Sequence, residues 1–340
     1  MKHLLTLIFY TIAISYSAFL NLKAQEISIN SLHLDDKTKL ESTELVDGYV
    51  YTGFDANENY LFWLEMYTQT ISIYDLKQHR LQQIVLKNGR GPHEAQRIIS
   101  LAVVDSTIFI SDYYNLKLIR VNIEGTFSKD VVLPKNAKPF RIRSSDKSIY
   151  MLDKFNKVAP VVKYELNERQ NVYELSVDKD INKDFVTGFQ VEGEISAGHN
   201  TLVHITKYYP RLYVYDLANK SLLKKIRFDN SEVIEGYRRP HSSGGRVMLP
   251  PEKVDILNED IALVPGTEEK VLILSEGQSN NRAYGLDKLW EYDFTNEKFI
   301  KSHDMEVKLK AITANDKYLF GYSEEDNAIY RYKIVRSSHP

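Results

Sequence analysis

One short pattern, repeated six times, limits what this chain can fold into. Each copy is an apolar pair that often includes Tyr, then usually Asp, Glu or Asn, then another apolar residue. The copies occupy residues 72–76, 119–123, 162–166, 213–217, 289–294 and 330–334. Their matched positions are Tyr74, Val121, Tyr164, Tyr215, Tyr292 and Tyr332, spaced 40 to 77 residues apart. An apolar run precedes every copy, as at 60–64, 107–111 and 201–205, and another follows most copies, as at 81–86 and 222–228. These runs are short, rich in Ile, Val, Leu, Tyr and Phe, and partly alternating, which is the signature of strands. No window carries a long amphipathic helix. Four strands per unit at this period predict an all-β fold, a β-propeller of six blades. A two-sheet sandwich or seven smaller units are the alternatives.

The ends of the chain bear on closure. The sixth unit stops after its third strand, near Val335, and lacks a fourth. Residues 26–30 (Glu-Ile-Ser-Ile-Asn) form an orphan alternating strand near the start. The expectation is a ring closed by this N-terminal strand, which completes the last blade and removes an exposed sheet edge. Ahead of it, Lys2 and His3 open an apolar stretch to about Leu20, with Ala24 near its end, the plan of a secretory signal peptide. Residues 1–24 are therefore expected to be a signal peptide, and 25–340 a single propeller domain. The expected location is exported, periplasmic or secreted, with no membrane span after cleavage and a monomeric state.

Residues 89–94 read Gly-Arg-Gly-Pro-His-Glu. With six irregular blades and a signal peptide, this segment resembles the TolB-like, or NHL-like, six-bladed propellers exported by bacteria, many of which carry Gly-x-Gly-Pro-x-Glu where an inner strand begins. The resemblance covers about residues 26 to 335. It departs at Ala95 and Gln96, where such proteins often have an aromatic or apolar residue. The resemblance implies the fold and export and leaves the activity open. On the residues alone, 88–94 is either a blade-to-blade buckle or a rim that presents Arg90, with Glu94 as a brace.

Composition narrows the chemistry. With no cysteine, the chain has no disulfide, thiolate zinc site, iron–sulfur cluster or thiol nucleophile. A formal charge of −2 argues against a nucleic-acid partner. There is no His-Glu-x-x-His, no Gly-x-Ser-x-Gly and no phosphate loop. Residues 55–66 start like a calcium loop but lack its Gly and closing Glu. No metal and no cofactor are expected.

Propeller geometry puts the turns between strands two and three on the same face as the blade crossings. That face is expected to collect Arg90, His93, Arg97, Tyr113, Tyr114, Lys207, Tyr208 and Tyr209. A long insertion, 237–251, adds Arg238, Arg239 and His241, either as a lid or as a loop without function. Arg and Tyr suit a sugar or an anion, because aromatic faces stack and a guanidinium grips carboxylate or sulfate through paired hydrogen bonds. The leading expectation is an exported binding module for a glycan, peptide or protein partner on the channel face. The alternative is a lyase acting on an acidic polysaccharide, with His241 or His204 as base and Tyr208 as acid. The bland reading is that these side chains are scattered and solvated.

Overall fold

The structure is a computed structural model that describes residues 29–39, 53–135, 137–145, 148–153, 160–166, 172–175, 191–207, 211–228, 237–240, 246–249, 258–275 and 286–336. The signal-peptide expectation, along with Tyr208, Tyr209 and His241, lies outside these residues. Six four-stranded antiparallel sheets follow one another around a ring, and among the described residues there is no helix. Five blades use consecutive strands: residues 54–85, 98–132, 141–175, 193–227 and 258–309. The sixth takes three strands from 311–336 and its fourth, Ile29–Lys39, from the other end of the chain. That strand runs antiparallel to Ala328–Arg336, from Ser31 opposite Val335 to Lys39 opposite Ala328, with a register shift between Leu34 and Asp36. The chain adopts the expected kind of closure, but the strand that makes it is Ile29–Lys39, which begins near the end of the expected 26–30 segment and runs nine residues beyond it.

All six copies of the repeat fall on third strands: Thr70–Asp75, Lys117–Asn122, Val161–Glu165, Arg211–Asp216, Leu286–Asp293 and Ala328–Arg336. The third strand is packed on both faces, so it needs large side chains pointing both ways. Apolar side chains gather into six clusters, one at each contact between neighbouring blades. In every blade the matched residue of the repeat packs toward the preceding blade. Tyr164 meets the second-blade cluster of Phe109 and Leu118, and Tyr332 meets Leu272 and Leu274 of the fifth. The Asp of the repeat caps the turn that follows. Asp75 accepts the Lys77 and Gln78 N–H groups, Asp216 accepts Asn219 N–H, and Asp293 accepts Asn296 N–H. Each of these turns then passes through a left-handed residue, His79, Lys220 or Glu297, at φ 53°.

The inner strands, one per blade, are sheet edges facing the central channel. Their backbone groups are satisfied across blades by short polar side chains. Asp55 accepts Val103 N–H, Ser100 accepts Ile142 N–H, Ser196 accepts Leu263 N–H, and Asp260 accepts Ile312 N–H at 2.7 Å. Ser145 donates to the Gly198 carbonyl, and Asn315 donates to that of Asn57. Every one of the six blade-to-blade contacts has such a stitch.

The insertion at 237–251 differs from the irregular loop read from the sequence. Tyr237–Pro240 and Arg246–Leu249 pair as an antiparallel hairpin.

Candidate functional site

The channel has two ends, and the chain furnishes them differently. At the end with the blade crossings, the turn between the second and third strands of blade two carries Tyr113 and Tyr114. Asp112, itself fully buried, accepts the backbone N–H of Gln96 and Arg97 from the incoming crossing and those of Tyr114 and Asn115 from the turn. Asn115 adds a side-chain bond to the same carboxylate at 2.6 Å. One aspartate thus clamps two loops, and the clamp sets Arg97 against Tyr114. The guanidinium donates to the Tyr114 hydroxyl at 2.9 Å and lies 5.4 Å from its ring centroid. The ring of Tyr113 sits 5.8 Å from that of Tyr114. Tyr114 is 59% exposed, so its face is open. The other side-chain N–H groups of Arg97 have no partner among the described residues. Burial and the nearby Asp153 carboxylate raise the Tyr113 hydroxyl above its ordinary value, so it remains a phenol and a donor at neutral pH.

The other expected residues whose side chains are described make contacts of their own. Arg90 is exposed, with its Nε donating to Gln96 at 3.2 Å. Glu94 braces the loop backbone rather than Arg90, accepting Gly91 N–H at 2.8 Å. Ala95 is fully buried and pairs in a short parallel bridge with Asn88, so the departure from the resembled segment is filled by a small core residue. His93 turns to the outer strand of blade two. It stacks on Phe127 at 5.0 Å and bonds Asp130 through Nδ1, while Lys117 donates to the same carboxylate at 2.8 Å. Lys207 pairs with Glu259 at 3.2 Å, and Lys310 takes the same oxygen from blade six. His204 lies in the core between blades three and four, stacked on Tyr213 at 5.4 Å. Burial holds its imidazole down at about 4, so it is neutral. The backbone of Arg238 and Arg239 lies in the hairpin.

The other end of the channel opens among the turns between first and second strands. A cavity of about 520 Å³ sits there, and all six blades contribute to its wall. Its polar groups include Asp55, Arg143, Ser144 and Ser196. Asp55 touches the cavity with part of its surface yet lies deep inside the ring, and that burial raises its pKa against the pull of Arg143. Asp260, just behind, is pushed up to about 7 by burial and by Glu194, again against Arg143. Sequence reasoning missed this end. Its one signal was a charged residue, Asp55, between the apolar residues of a first strand. Among the described residues, no three metal-ligating side chains converge.

No protein-family model matches the sequence, and no curated protein does. Solved structures do match, and the three described here do so at low identity. The β-propeller domain of Cps50 (Swd1) from Myceliophteria thermophila is 12% identical, with a TM-score of 0.50 over 90% of this chain and 100% of that one. A virginiamycin B lyase from Staphylococcus aureus is 11% identical, with a TM-score of 0.52 over 91% and 100%. A chain of a mitotic checkpoint complex is 8% identical, with a TM-score of 0.54 over 91% and 93%. The molecule is a six-bladed β-propeller. Matches to 1375 solved chains speak to the fold and carry no activity by themselves.

Proposed function

We propose that the protein is an exported binding module that takes an acidic glycan on the channel face bearing the blade crossings. The observation that carries this reading is the Arg97–Tyr114 pair: an open aromatic face beside a guanidinium with free donors, both held by the buried Asp112. A sugar ring stacks on Tyr114, while a uronate or sulfate takes the fork of Arg97. Propellers serve widely as binding scaffolds, and Asp112 holds the two loops here in place. Export rests on the plan of residues 1–24, and membership among TolB-like or NHL-like proteins rests on residues 89–94. The lyase alternative depends on Tyr208 and His241, outside the described residues, and on His204, which is enclosed in the core; binding needs none of them.

The test is a thermal-shift screen of residues 25–340 against neutral and acidic oligosaccharides, with and without calcium. A ligand that binds only the native state raises the melting temperature. A rise with acidic sugars alone supports the reading. No rise with any sugar removes it and turns the search to peptide or protein partners.

A further inference from the structure

We infer that the opposite mouth of the channel is a second ligand site, taking a neutral, hydroxyl-rich molecule of mono- or disaccharide size. The cavity of about 520 Å³ falls within the span of small-molecule pockets. Its wall is rigid, because the strand edges that form it are stitched to their neighbours through Asp55, Ser144, Ser196 and Asp260.

The polar groups define the ligand. Arg143 is half-buried, and its guanidinium makes one bond, from Nη1 to the Ile142 carbonyl at 3.0 Å. Its other donors have no partner among the described residues. Asp55 accepts one backbone N–H on each oxygen, Ala56 at 2.9 Å and Val103 at 3.1 Å, which leaves each oxygen able to accept again. Ser196 accepts from Leu263 and keeps its own hydroxyl hydrogen. Donors and acceptors are therefore present side by side. Signs are mixed too: Arg143 faces Asp55, with Glu268 and Asp316 also in the lining. An anion reaching Arg143 passes three carboxylates, and a cation reaching Asp55 meets the guanidinium. A hydroxyl group suits both, since it donates to a carboxylate and accepts from a guanidinium. Aliphatic stretches of the wall, at Val103, Ile261 and Ile312, offer contact for the C–H faces of a sugar ring. The site lies at the end of the channel remote from Arg97, so it stands or falls independently of the acidic-glycan reading.

The experiment is saturation-transfer NMR and calorimetry on the protein with trehalose, maltose and glucuronate at millimolar concentration. The expected result is binding of at least one neutral sugar and weaker or no binding of glucuronate. Arg143→Lys keeps the charge and loses the fork, and should weaken the neutral sugar about tenfold or more. Should Arg143→Lys also lower the melting temperature, Pro265→Trp serves in its place: it puts a large ring into the mouth from a surface turn and should weaken binding at least as much. Failure of both neutral sugars to bind, tighter binding of glucuronate, or undiminished binding in the variants overturns the inference.

Discussion

The backbone N–H of Ile29 donates to Glu291 Oε2 at 3.2 Å, joining the first residue of the closing strand to the third strand of the fifth blade. Ile29 is 1% exposed and packs with Leu272, Leu274 and Tyr332 between blades five and six. The closing strand therefore does more than cover an edge: it also seals a blade contact. Burial of Ile29 alone is worth about 1.5–3 kcal/mol, before the strand's pairing with Ala328–Arg336 is counted. Removing residues 29–39 should lower the melting temperature sharply and expose the edge of Ala328–Arg336 to self-association. Thermal denaturation and size-exclusion chromatography of the truncated chain check this. A monomer that melts like the full chain would contradict it.

Gly193, at the start of the inner strand of blade four, lies opposite Thr206. A Cβ there would collide with the Ile205 carbonyl, which is backbone and cannot swing aside. Gly193→Ala should cost about 3 kcal/mol or more, the upper end of overpacking. Urea unfolding measures it directly; a variant within experimental error of the parent would show that the blade yields more than its packing implies.

Asp130 joins the crossing loop to blade two through His93 and Lys117. Burial works to raise its pKa, but the bonds from Lys117 and His93 outweigh burial and hold it below the ordinary carboxylate value. Its contribution is present above that ordinary value and fades as pH falls through the lowered one. Asp130→Ala leaves the Lys117 ammonium, only 7% exposed, with the Gly91 carbonyl and no counter-charge, and should cost about 3 kcal/mol at neutral pH. Comparing parent and variant by urea unfolding should show the gap narrowing below about pH 4.

His204 and His303 are both held down to about 4, His204 by burial and His303 by burial and Lys301. An unfolded histidine takes its proton near 6.5. Stability from these groups is complete above 6.5 and declines as pH falls toward 4. Asp260, raised to about 7, acts in the opposite direction, since it favours the folded state at low pH and loses that contribution as pH rises toward 7. Comparing the parent with His204→Phe isolates one group. The parent's stability relative to the variant should fall by on the order of 3 kcal/mol between pH 6.5 and 4. A difference that stays flat would mean that His204 protonates in the fold.

The architecture was legible because its repeat marks third strands, where packing on both faces demands the same residue types in every blade. Tyr164, Tyr215, Tyr292 and Tyr332 face the preceding blade, and Asp75, Asp216 and Asp293 cap the turns. The crossing face was legible in part. Tyr113, Tyr114 and Arg97 do meet, but the residue that makes them meet, Asp112, looks in sequence like an ordinary turn aspartate. Its partners Gln96 and Arg97 belong to another loop. The structure sets His93 and His204 in ring stacks, on Phe127 and Tyr213, that spacing does not show. The cavity at the far mouth was not legible, because Asp55, Arg143 and Ser196 come from three blades and share no motif.

The most direct test of the account is calorimetric titration of a galacturonate oligomer into the protein, into Arg97→Gln and into Tyr114→Ala. Both substitutions lie on an exposed turn or crossing, so the fold should survive them. The account predicts binding by the parent and a loss of about tenfold or more in each variant, the guanidinium fork and the stacking face each being worth more than 1 kcal/mol. No heat with the parent, or equal affinity in all three proteins, would contradict it.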